Sequence, residues 1–366
     1  MKIKHVITIF VLLATTLLFG CVSENKTSTT EAKNTPTPSE RLKIYTTVFP
    51  LQDFTEKIGG EHVEVLSVFP TGADAHTFEP TTKTMVGIAE ADALIYVGAG
   101  VEGFIDAAIN TLQNEKVQLV KATGDMELTK AQGEHEVHHD DEDITKTEQD
   151  HHQSDSNNEE SHSHDEHDEH DEHDEHEGHV DNESGNEEHH YHGDVDPHVW
   201  LDPLLAVELA ENILHTLEEL KPEAKKDFEK NFDELVKNLH ALDQEFMDVV
   251  NESSRKEIVV SHAAYGYWET RYGIKQISVS GLSPTNEPTQ KDLTHIINLA
   301  KEHNIKYVLF EQNLTSKVSE MVKKEINAEA LTLHNLESAT EEDIKNSADY
   351  FSIMRQNLET LKKALH

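Results

Sequence analysis

The sequence predicts an α/β protein with two lobes, each built on a parallel sheet, bridged by a long rigid helix. Short apolar segments alternate with helical segments in the first third of the chain and again from residue 257, a pattern typical of parallel sheets with helical crossovers. Between them, Pro222–Val250 contains no glycine and no internal proline, so it reads as one helix. A chain of 366 residues is also long enough for two hydrophobic cores.

The first half of the chain contains four strand candidates and three helix candidates. Apolar and β-branched residues predict strands at Leu42–Val48, His62–Phe69, Ala93–Val97 and Val117–Val120. The intervening sequence predicts helices at Pro50–Ile58, about Thr82–Glu90, and Phe104–Leu112. Gly59 and Gly60 end the first of these helices.

Two helices are predicted in the middle of the chain. Pro203 can open a helix that continues to Leu217, because proline is well tolerated at the first helical position. In the second helix, apolar residues recur at spacings of three and four along one face: Phe232, Leu235, Leu239, Leu242 and Phe246.

The alternating pattern then resumes. The predicted strands are Ile258–Ser261, Ile274–Val279, Lys306–Phe310 and Ala330–Leu333. The predicted helices are Ala264–Tyr272, Thr289–His303, Ser316–Lys324 and a terminal helix over about Glu341–Leu365.

The N-terminus is predicted to be a signal peptide of a lipoprotein. Lys2 and Lys4 precede an apolar run, Val6–Phe19, that is too short for an ordinary membrane span. The residues Leu-Phe-Gly-Cys that end at Cys21 resemble a bacterial lipobox, in which the cysteine becomes the lipidated first residue. The alternative is an uncleaved anchor helix. Because Cys21 is the only cysteine, no disulfide and no thiolate metal site is expected.

An acidic, histidine-rich tract at residues 134–192 interrupts the chain. It holds 15 of the 26 histidines and about −23 of the net charge of −40. This overall charge argues against nucleic acid and anionic lipid as partners. In the centre of the tract histidine recurs at every third position: His164, His167, His170, His173, His176 and His179. We expect these histidines to be accessory, weak metal ligands in a solvated segment, with an acidic linker that binds no metal as the alternative.

Three histidines outside the tract occupy positions where parallel sheets place ligands. His76 follows a predicted strand, His198 lies between two prolines before a helix, and His262 directly follows Ser261 at the end of an apolar strand. Three imidazoles and one oxygen donor suit tetrahedral Zn²⁺. Glu337, after the last strand, is the candidate for the fourth ligand, with His334 and water as alternatives.

Other polar and aromatic residues carry weaker signals. The stretch from His135 to His139 formally fits the HExxH pattern, but it lies in a charge-dense run without an apolar face, so no catalytic role is predicted. Trp200 and Trp268 are interpreted as packing residues. Asp202 and Glu287 could orient a ligand histidine, but we interpret them as surface carboxylates.

Five ordered motifs resemble one family, the zinc-type extracellular solute-binding proteins of metal ABC transporters, which are often lipoproteins. The motifs are GADAHTFEP from Gly72, DPHVWLDP from Asp196, SHAAYGYWETRYG from Ser261, GLSPTNEP from Gly281 and LHNLESAT from Leu333. The resemblance covers most of the chain from about Lys43 to Leu365, apart from the tract. It implies two α/β lobes bridged by a helix, with the metal in the cleft between them.

The resemblance also implies the metal ligands. The family's three imidazole ligands fall on His76, His198 and His262, and its carboxylate ligand falls on Glu337. Similar proteins often have Asn-Pro-Leu-Glu at the carboxylate, where this chain has His334-Asn335-Leu336-Glu337. Manganese-type relatives typically have a carboxylate in place of His262, so the nitrogen-rich set favours Zn²⁺.

The predicted organisation is a signal peptide (1–20), a lipid-anchored tether (21–40), an N-terminal lobe with the tract inserted (41–205), connecting helices (206–255) and a C-terminal lobe (256–366). We expect a monomer on the extracellular face of the cytoplasmic membrane, with no enzymatic activity. It would pass Zn(II) to an ABC permease that works with a separate ATPase. The alternatives are a zinc-dependent hydrolase with the same ligands and a surface protein for metal storage or adhesion.

Overall fold

The computed structural model describes residues 41–124, 126–130, 195–312 and 316–366. The predicted signal peptide, Cys21, the tether and the six tract histidines from His164 to His179 lie outside these residues. The stretch from His135 to His139 lies outside them as well. Among the described residues, no helix is both long enough and apolar enough to cross a membrane.

The first half of the described chain forms a four-stranded parallel sheet in the order β2-β1-β3-β4. Its strands are β1 (Leu42–Thr46), β2 (Val63–Ser67), β3 (Ala93–Tyr96) and β4 (Gln118–Lys121). Its helices are α1 (Phe49–Gly59), α2 (Thr82–Ala89) and α3 (Ile105–Leu112). All seven elements were predicted, with ends that differ by at most two residues.

Beyond β4, the chain segments on either side of the tract run next to each other. Lys130 and Val195 form an isolated antiparallel bridge. The N–H of Asp196 donates to the carbonyl of Thr129 at 3.0 Å. The segment 131–194 therefore leaves and re-enters the described fold at one place.

Two helices link the two halves: α4 (Pro203–Leu220) and α5 (Lys225–Glu252), with a 3-10 turn at Pro222–Ala224 between them. The carboxylate of Asp202 caps α4 by accepting the N–H groups of Leu204 and Leu205 at 2.9 and 3.3 Å. Four of the five residues predicted for the apolar face of α5 are buried, while Phe232 is half-buried. Helix α5 packs against α1 of the first half and the terminal helix of the second, so it bridges the halves as predicted.

The second half repeats the arrangement, with a parallel sheet in the order β6-β5-β7-β8. Its strands are β5 (Glu257–Val260), β6 (Lys275–Ser278), β7 (Tyr307–Phe310) and β8 (Glu329–Thr332). Its helices are α6 (Gly266–Tyr272), α7 (Gln290–Glu302), α8 (Lys317–Glu325), α9 (Glu341–Lys345) and α10 (Tyr350–Ala364).

The prediction of a single terminal helix was wrong. The chain breaks between α9 and α10, where Ser347 has a left-handed φ of 51°. Each helix has its own capping box: Thr340 with Asp343 begins α9, and Asp349 with Ser352 begins α10. The second capping box starts a new helix and so competes with continuation of the first. Apolar periodicity gives no information about this competition.

A continuous core spans both sheets and the connecting helices, and a smaller cluster lies within the second half. Trp200 and Trp268 are fully buried, as expected for packing residues. Their indole N–H groups donate to the carbonyls of Asn335 and Leu201 at 2.8 and 2.7 Å. Both side chains therefore fix segments close to candidate ligands, since Asn335 lies two residues before Glu337 and Leu201 lies three residues after His198.

Candidate metal centre

The four predicted ligands come from four separate segments and meet in one place. His76 lies in the loop between β2 and α2, and His198 comes directly before the 3-10 turn Val199–Leu201. His262 lies two residues after β5, and Glu337 follows β8. One potential ligand atom from each lies within 4.8 Å of the others. The loops at the carboxyl ends of the strands thus converge, as the strand-end argument predicted.

The spacing of these atoms suits a tetrahedral metal. The Oε1 atom of Glu337 lies 3.5, 3.7 and 3.9 Å from the Nε2 atoms of His76, His198 and His262. The Nε2 atoms of His198 and His262 are 3.4 Å apart. Ligands about 2.0–2.1 Å from a central Zn²⁺ would be separated by roughly 3.3–3.4 Å in a regular tetrahedron. The four measured separations, 3.4–3.9 Å, are therefore equal to or somewhat longer than those of that geometry.

Two of these atoms are buried without a hydrogen-bond partner: Nε2 of His76 and Oε1 of Glu337. His198 and His262 have no exposed surface, and Glu337 is 2% exposed. A buried polar atom without a partner is costly, and native proteins rarely leave one unexplained. The two atoms lie 3.5 Å apart, so one cation bound between them would give both a partner.

His198 is held by Asp196, two residues earlier in the chain. The Nδ1 atom of His198 lies 2.8 Å from Oδ1 of Asp196, and the backbone N–H of His198 donates to the same oxygen at 3.0 Å. A carboxylate at Nδ1 favours the tautomer with its proton there, which leaves Nε2 free to bind a metal.

His262 has an equivalent partner in Glu311, the first residue after β7. The Nδ1 atom of His262 is hydrogen-bonded to Oε1 of Glu311. The hydroxyl of Ser261 donates to the same oxygen at 2.6 Å. Glu311 is itself buried, at 6% exposure. Both fully buried histidines thus present Nε2 inward and Nδ1 to a carboxylate.

Glu337 joins the His76 loop to the second half of the chain. The N–H of Ala75 donates to Oε2 of Glu337 at 3.2 Å, which leaves Oε1 for the cluster. The hydroxyl of Ser338 donates to the carbonyl of Ala73 at 2.7 Å, and the N–H of Gly72 donates to the carbonyl of Ala339 at 3.0 Å. The carboxylate is therefore oriented to offer a single oxygen.

In the cluster, interactions between the histidines and carboxylates outweigh the effect of burial on their pKa values. Burial works against a charge on His198, but its interactions with Asp196 and Glu337 outweigh burial and raise the pKa of His198 to about 9. Burial favours the neutral form of Glu337, but its interactions with His198 and His76 outweigh burial and lower the pKa of this carboxyl well below its usual range. A bound cation would replace the proton that these groups otherwise hold together.

A small cavity of about 10 Å³ adjoins the cluster at its edge. It lies between the His76 loop and the strand ends of the second half, and its lining consists of Gly72, Ala73, Asp74, Glu311, Gln312, Asn335 and Glu337.

Of the two protein residues considered for the fourth position, the structure places Glu337 and not His334 beside the three histidines. His334 does not face the cluster, because its Nδ1 accepts the N–H of Leu336 at 2.9 Å and its Nε2 lies 3.1 Å from Oδ2 of Asp343. Glu337 occupies the fourth corner instead.

The residues that orient the histidines were missed in the sequence. Asp202 is buried rather than a surface carboxylate, and it caps α4 and pairs with Arg271. Glu287 is exposed. The orienting carboxylates are Asp196 and Glu311. Asp196 lies in the same short motif as His198, and Glu311 directly follows an apolar strand, so the strand-end argument could have found it.

Fold and donor set together define a two-lobed α/β protein with a buried cluster of three imidazoles and one carboxylate. Residues 44–364 match the family described as the zinc-uptake complex component A, periplasmic (ZnuA). The chain belongs to this family, which confirms the resemblance inferred from the motifs.

Several named relatives cover most of the chain. The zinc-binding protein AdcA of Streptococcus pyogenes is 34% identical over 322 residues, which are 88% of this chain and 56% of that protein. The high-affinity zinc uptake system protein ZnuA of Bacillus subtilis is 29% identical over 357 residues, 98% of this chain and 97% of that protein. This chain therefore spans little more than half the length of the AdcA relatives but nearly all of the Bacillus protein.

Solved structures support the fold. The crystal structure of Zn(II)-bound AdcA from Streptococcus pneumoniae superimposes with a TM-score of 0.64 at 29% identity, over 89% of this chain and 58% of that one. The Zn(II)-bound ZnuA-like domain of the same protein gives a TM-score of 0.63 at 29% identity, over 89% and 99%. The predicted fold class of two parallel-sheet α/β lobes is confirmed.

Proposed function

We propose that the protein binds Zn²⁺ through His76, His198, His262 and Glu337 and delivers it to a membrane ABC permease for import. The observation that carries the proposal is the pair of buried, unpartnered atoms, Nε2 of His76 and Oε1 of Glu337. They complete a set of four ligand atoms that lie within 4.8 Å of one another, and three nitrogens with one oxygen suit Zn²⁺ better than Mn²⁺. The matched family and the similar proteins are described as zinc-uptake or zinc-binding proteins, which also supports zinc as the ligand.

The decisive experiment measures zinc affinity by competition with a chromophoric chelator. The expected result for the parent chain is one tight site together with weaker sites in the tract. His198→Ala and His262→Ala should each remove most of the tight affinity. His215→Ala is the matched control, because His215 is exposed on α4 and lies next to Glu211, one helical turn away. Unchanged tight affinity in both cluster variants would contradict the proposed site.

The position of Glu337 favours binding over hydrolysis as the role of this site. Catalytic zinc keeps a coordination position open for water, whereas binding sites are closed by protein ligands. With the Oε1 atom of Glu337 at the fourth corner, the zinc has no open position for an attacking water. Zinc-loaded protein should therefore be inactive against ester and peptide substrates under conditions in which it holds one equivalent of tight metal.

We further propose that Cys21 is lipidated and holds the protein on the extracellular face of the cytoplasmic membrane. The sequence motif supports this, as does the similarity to a 32% identical relative, the zinc-binding lipoprotein AdcA of Streptococcus pneumoniae. Replacing Cys21 by Ala should release the protein into the medium. Retention of the variant on washed cells would argue against the anchor.

Delivery to a permease and its separate ATPase is tested in cells. Loss of the gene should reduce the uptake of radioactive zinc and slow growth when zinc is limiting. The His262→Ala variant should fail to restore either property, while His215→Ala should restore both. A storage or adhesion role at the same site predicts normal uptake kinetics in all of these strains.

A further inference from the structure

The two sheets have the same strand order, so the residues that follow equivalent strands in the two halves can be compared. The strand orders β2-β1-β3-β4 and β6-β5-β7-β8 place β1 opposite β5 and β3 opposite β7. A hydroxyl residue follows the first strand of each pair: Thr47 after β1 and Ser261 after β5. A buried glutamate follows the second strand of each pair: Glu102 in the loop after β3 and Glu311 after β7.

In both halves the hydroxyl donates to the glutamate. The hydroxyl of Thr47 lies 2.7 Å from Oε1 of Glu102, and that of Ser261 lies 2.6 Å from Oε1 of Glu311. The remaining partners of Glu102 are backbone groups, the N–H of Val97 at 2.7 Å and the N–H of Gly98 at 3.2 Å. Within the described residues, Glu102 thus closes a loop, and none of its hydrogen bonds goes to a candidate ligand.

Besides its hydroxyl donor, Glu311 contacts two further side chains where Glu102 contacts backbone N–H groups. One oxygen, Oε1, is hydrogen-bonded to Nδ1 of His262, whereas the residue after Thr47 in the first half is Val48. The other oxygen, Oε2, accepts Nδ2 of Asn335 at 3.1 Å. The same motif of hydroxyl and glutamate that closes a loop in the first half therefore holds a candidate metal ligand in the second.

Asn335 extends this contact to a second ligand. Its Oδ1 accepts the backbone N–H of Glu337 at 3.1 Å and the side-chain amide of Gln312 at 3.0 Å. A continuous chain of hydrogen bonds therefore runs from His262 through Glu311 and Asn335 to Glu337. Because all four residues are buried, small displacements of Glu311 would be transmitted to both ligands.

We propose that Glu311 is a positioning residue that makes the site selective for metals with a strong preference for nitrogen, Zn²⁺ over Mn²⁺. It fixes Nε2 of His262 toward the metal, strengthens this imidazole as a donor through the negative charge at Nδ1, and sets its separation from Glu337 through Asn335. The inference rests on the proposed function, since it assigns a role at the same site. Carboxylates behind metal-binding histidines generally contribute about 10–100-fold in affinity.

Glu311 would favour Zn²⁺ over Mn²⁺ because it strengthens the bond between Nε2 of His262 and the metal. Zn²⁺ gains more from a good imidazole donor than Mn²⁺, which prefers oxygen ligands. Removing the charge of Glu311 weakens one nitrogen donor and leaves the oxygen donor of Glu337 in place. The loss should therefore be larger for Zn²⁺ than for Mn²⁺, and the ratio of the two affinities should fall.

The test compares Glu311→Gln with Glu102→Gln in the full chain. Both changes neutralise a buried glutamate that accepts a hydroxyl and follows an equivalent strand, so their structural costs are matched. Affinities for Zn²⁺ and Mn²⁺ are measured by chelator competition, and the visible absorption of the Co²⁺ complex reports the ligand field. Glu311→Gln should lower zinc affinity about 10–100-fold, lower manganese affinity less, and shift the Co²⁺ bands. Glu102→Gln should leave both affinities within about twofold and the Co²⁺ spectrum unchanged, because none of the described hydrogen bonds of Glu102 goes to a candidate ligand.

The inference is overturned if Glu311→Gln keeps zinc affinity within twofold of the parent, or if zinc and manganese affinities fall by the same factor. Should Glu311→Gln fail to fold by circular dichroism, Glu311→Asp replaces it. The shorter side chain keeps the charge but withdraws it from His262, so zinc affinity and the Zn/Mn ratio should both fall, and an unchanged ratio counts against the inference. Failure of the proposed function is recognised separately, since the parent chain would then show no tight zinc site that depends on His262.

Discussion

The segment that carries His198 is held in place by three aromatic donors from the second half of the chain. The hydroxyl of Tyr267 donates to the carbonyl of Asp196, the indole of Trp268 to that of Leu201, and the hydroxyl of Tyr350 to that of Trp200, each at 2.7 Å. The change Tyr350→Phe removes one of these bonds and little else. The ring keeps its edge contact with Phe54, whose centroid is 4.9 Å away.

The expected cost follows from the burial of both partners. Tyr350 and Trp200 are 0% exposed, so water cannot replace the lost hydroxyl at the Trp200 carbonyl. Depriving a buried acceptor of its donor costs about 1–3 kcal/mol in the free energy of unfolding. At about 2–4 °C per kcal/mol, the value for domains of 150–250 residues, the midpoint of thermal unfolding should fall by a few degrees, or somewhat less for this longer chain. Zinc affinity should fall only modestly, because the other two donors still hold the segment.

The assay is thermal unfolding of the metal-free protein followed by circular dichroism, together with urea unfolding. Tyr307→Phe is the control. Tyr307 is half-buried on β7, and within the described residues its hydroxyl makes no hydrogen bond, while its ring keeps the contact with the Lys363 ammonium. A stability loss for Tyr350→Phe no larger than that for Tyr307→Phe would refute the view that the aromatic donors anchor the His198 segment.

Three further predictions concern the ligand, the tract and a pH effect. Glu337→Gln keeps an oxygen donor at the fourth corner, so in chelator competition it should weaken zinc binding less than His198→Ala; an equal or larger loss would reverse this ranking. Deleting residues 134–192, whose flanking residues Lys130 and Val195 are paired, should leave one tight site and lower the calorimetric zinc stoichiometry; loss of the tight site would place it in the tract. Burial opposes the charge of Asp343, but hydrogen bonds with His334 and Thr340 outweigh burial and lower its pKa to about 2. A lowered folded-state pKa contributes stability above the unfolded value near 4 that is lost as the pH falls toward 2. The stability difference between the parent and Asp343→Asn, from urea unfolding, should therefore be constant near neutral pH and shrink below pH 4; a difference that does not vary with pH would contradict this assignment.

The element order of the fold could be predicted because apolar periodicity is a local property of the sequence. Within the described residues, each of the eight strands overlaps a predicted one, since most are short apolar segments whose length separates them from helices. The break between α9 and α10 was missed because it depends on a competition between two good helix starts, at Thr340 and Asp349. Periodicity continues across such a break, and only the hydrogen bonds of the caps distinguish one helix from two.

The candidate ligands could be named from the sequence because strand-end position and motif order both point to them. Their partners could not, because the partnership of His262 with Glu311 spans 49 positions and depends on the pairing of β5 with β7. The fourth ligand is the instructive case. His334 and Glu337 are three residues apart and chemically equally suited to zinc. Only the contacts of His334 with Asp343 and Leu336 separate them.

The four candidate ligands are not equivalent, and this bears on how a metal would leave. His198 and His262 have no exposed surface and each has a carboxylate at Nδ1, while Glu337 is fixed through Ala75. His76 belongs to a partly exposed loop, and its Nε2 has no partner within the described residues other than the cluster itself. Rotating the His76 side chain out of the cluster would therefore break one metal bond and leave the buried carboxylate pairs intact, whereas detaching either of the other histidines would break both kinds of contact. Exchange of the metal should begin with this side chain, while the hydrogen bonds from Gly72, Ala75 and Ser338 keep the His76 loop in place.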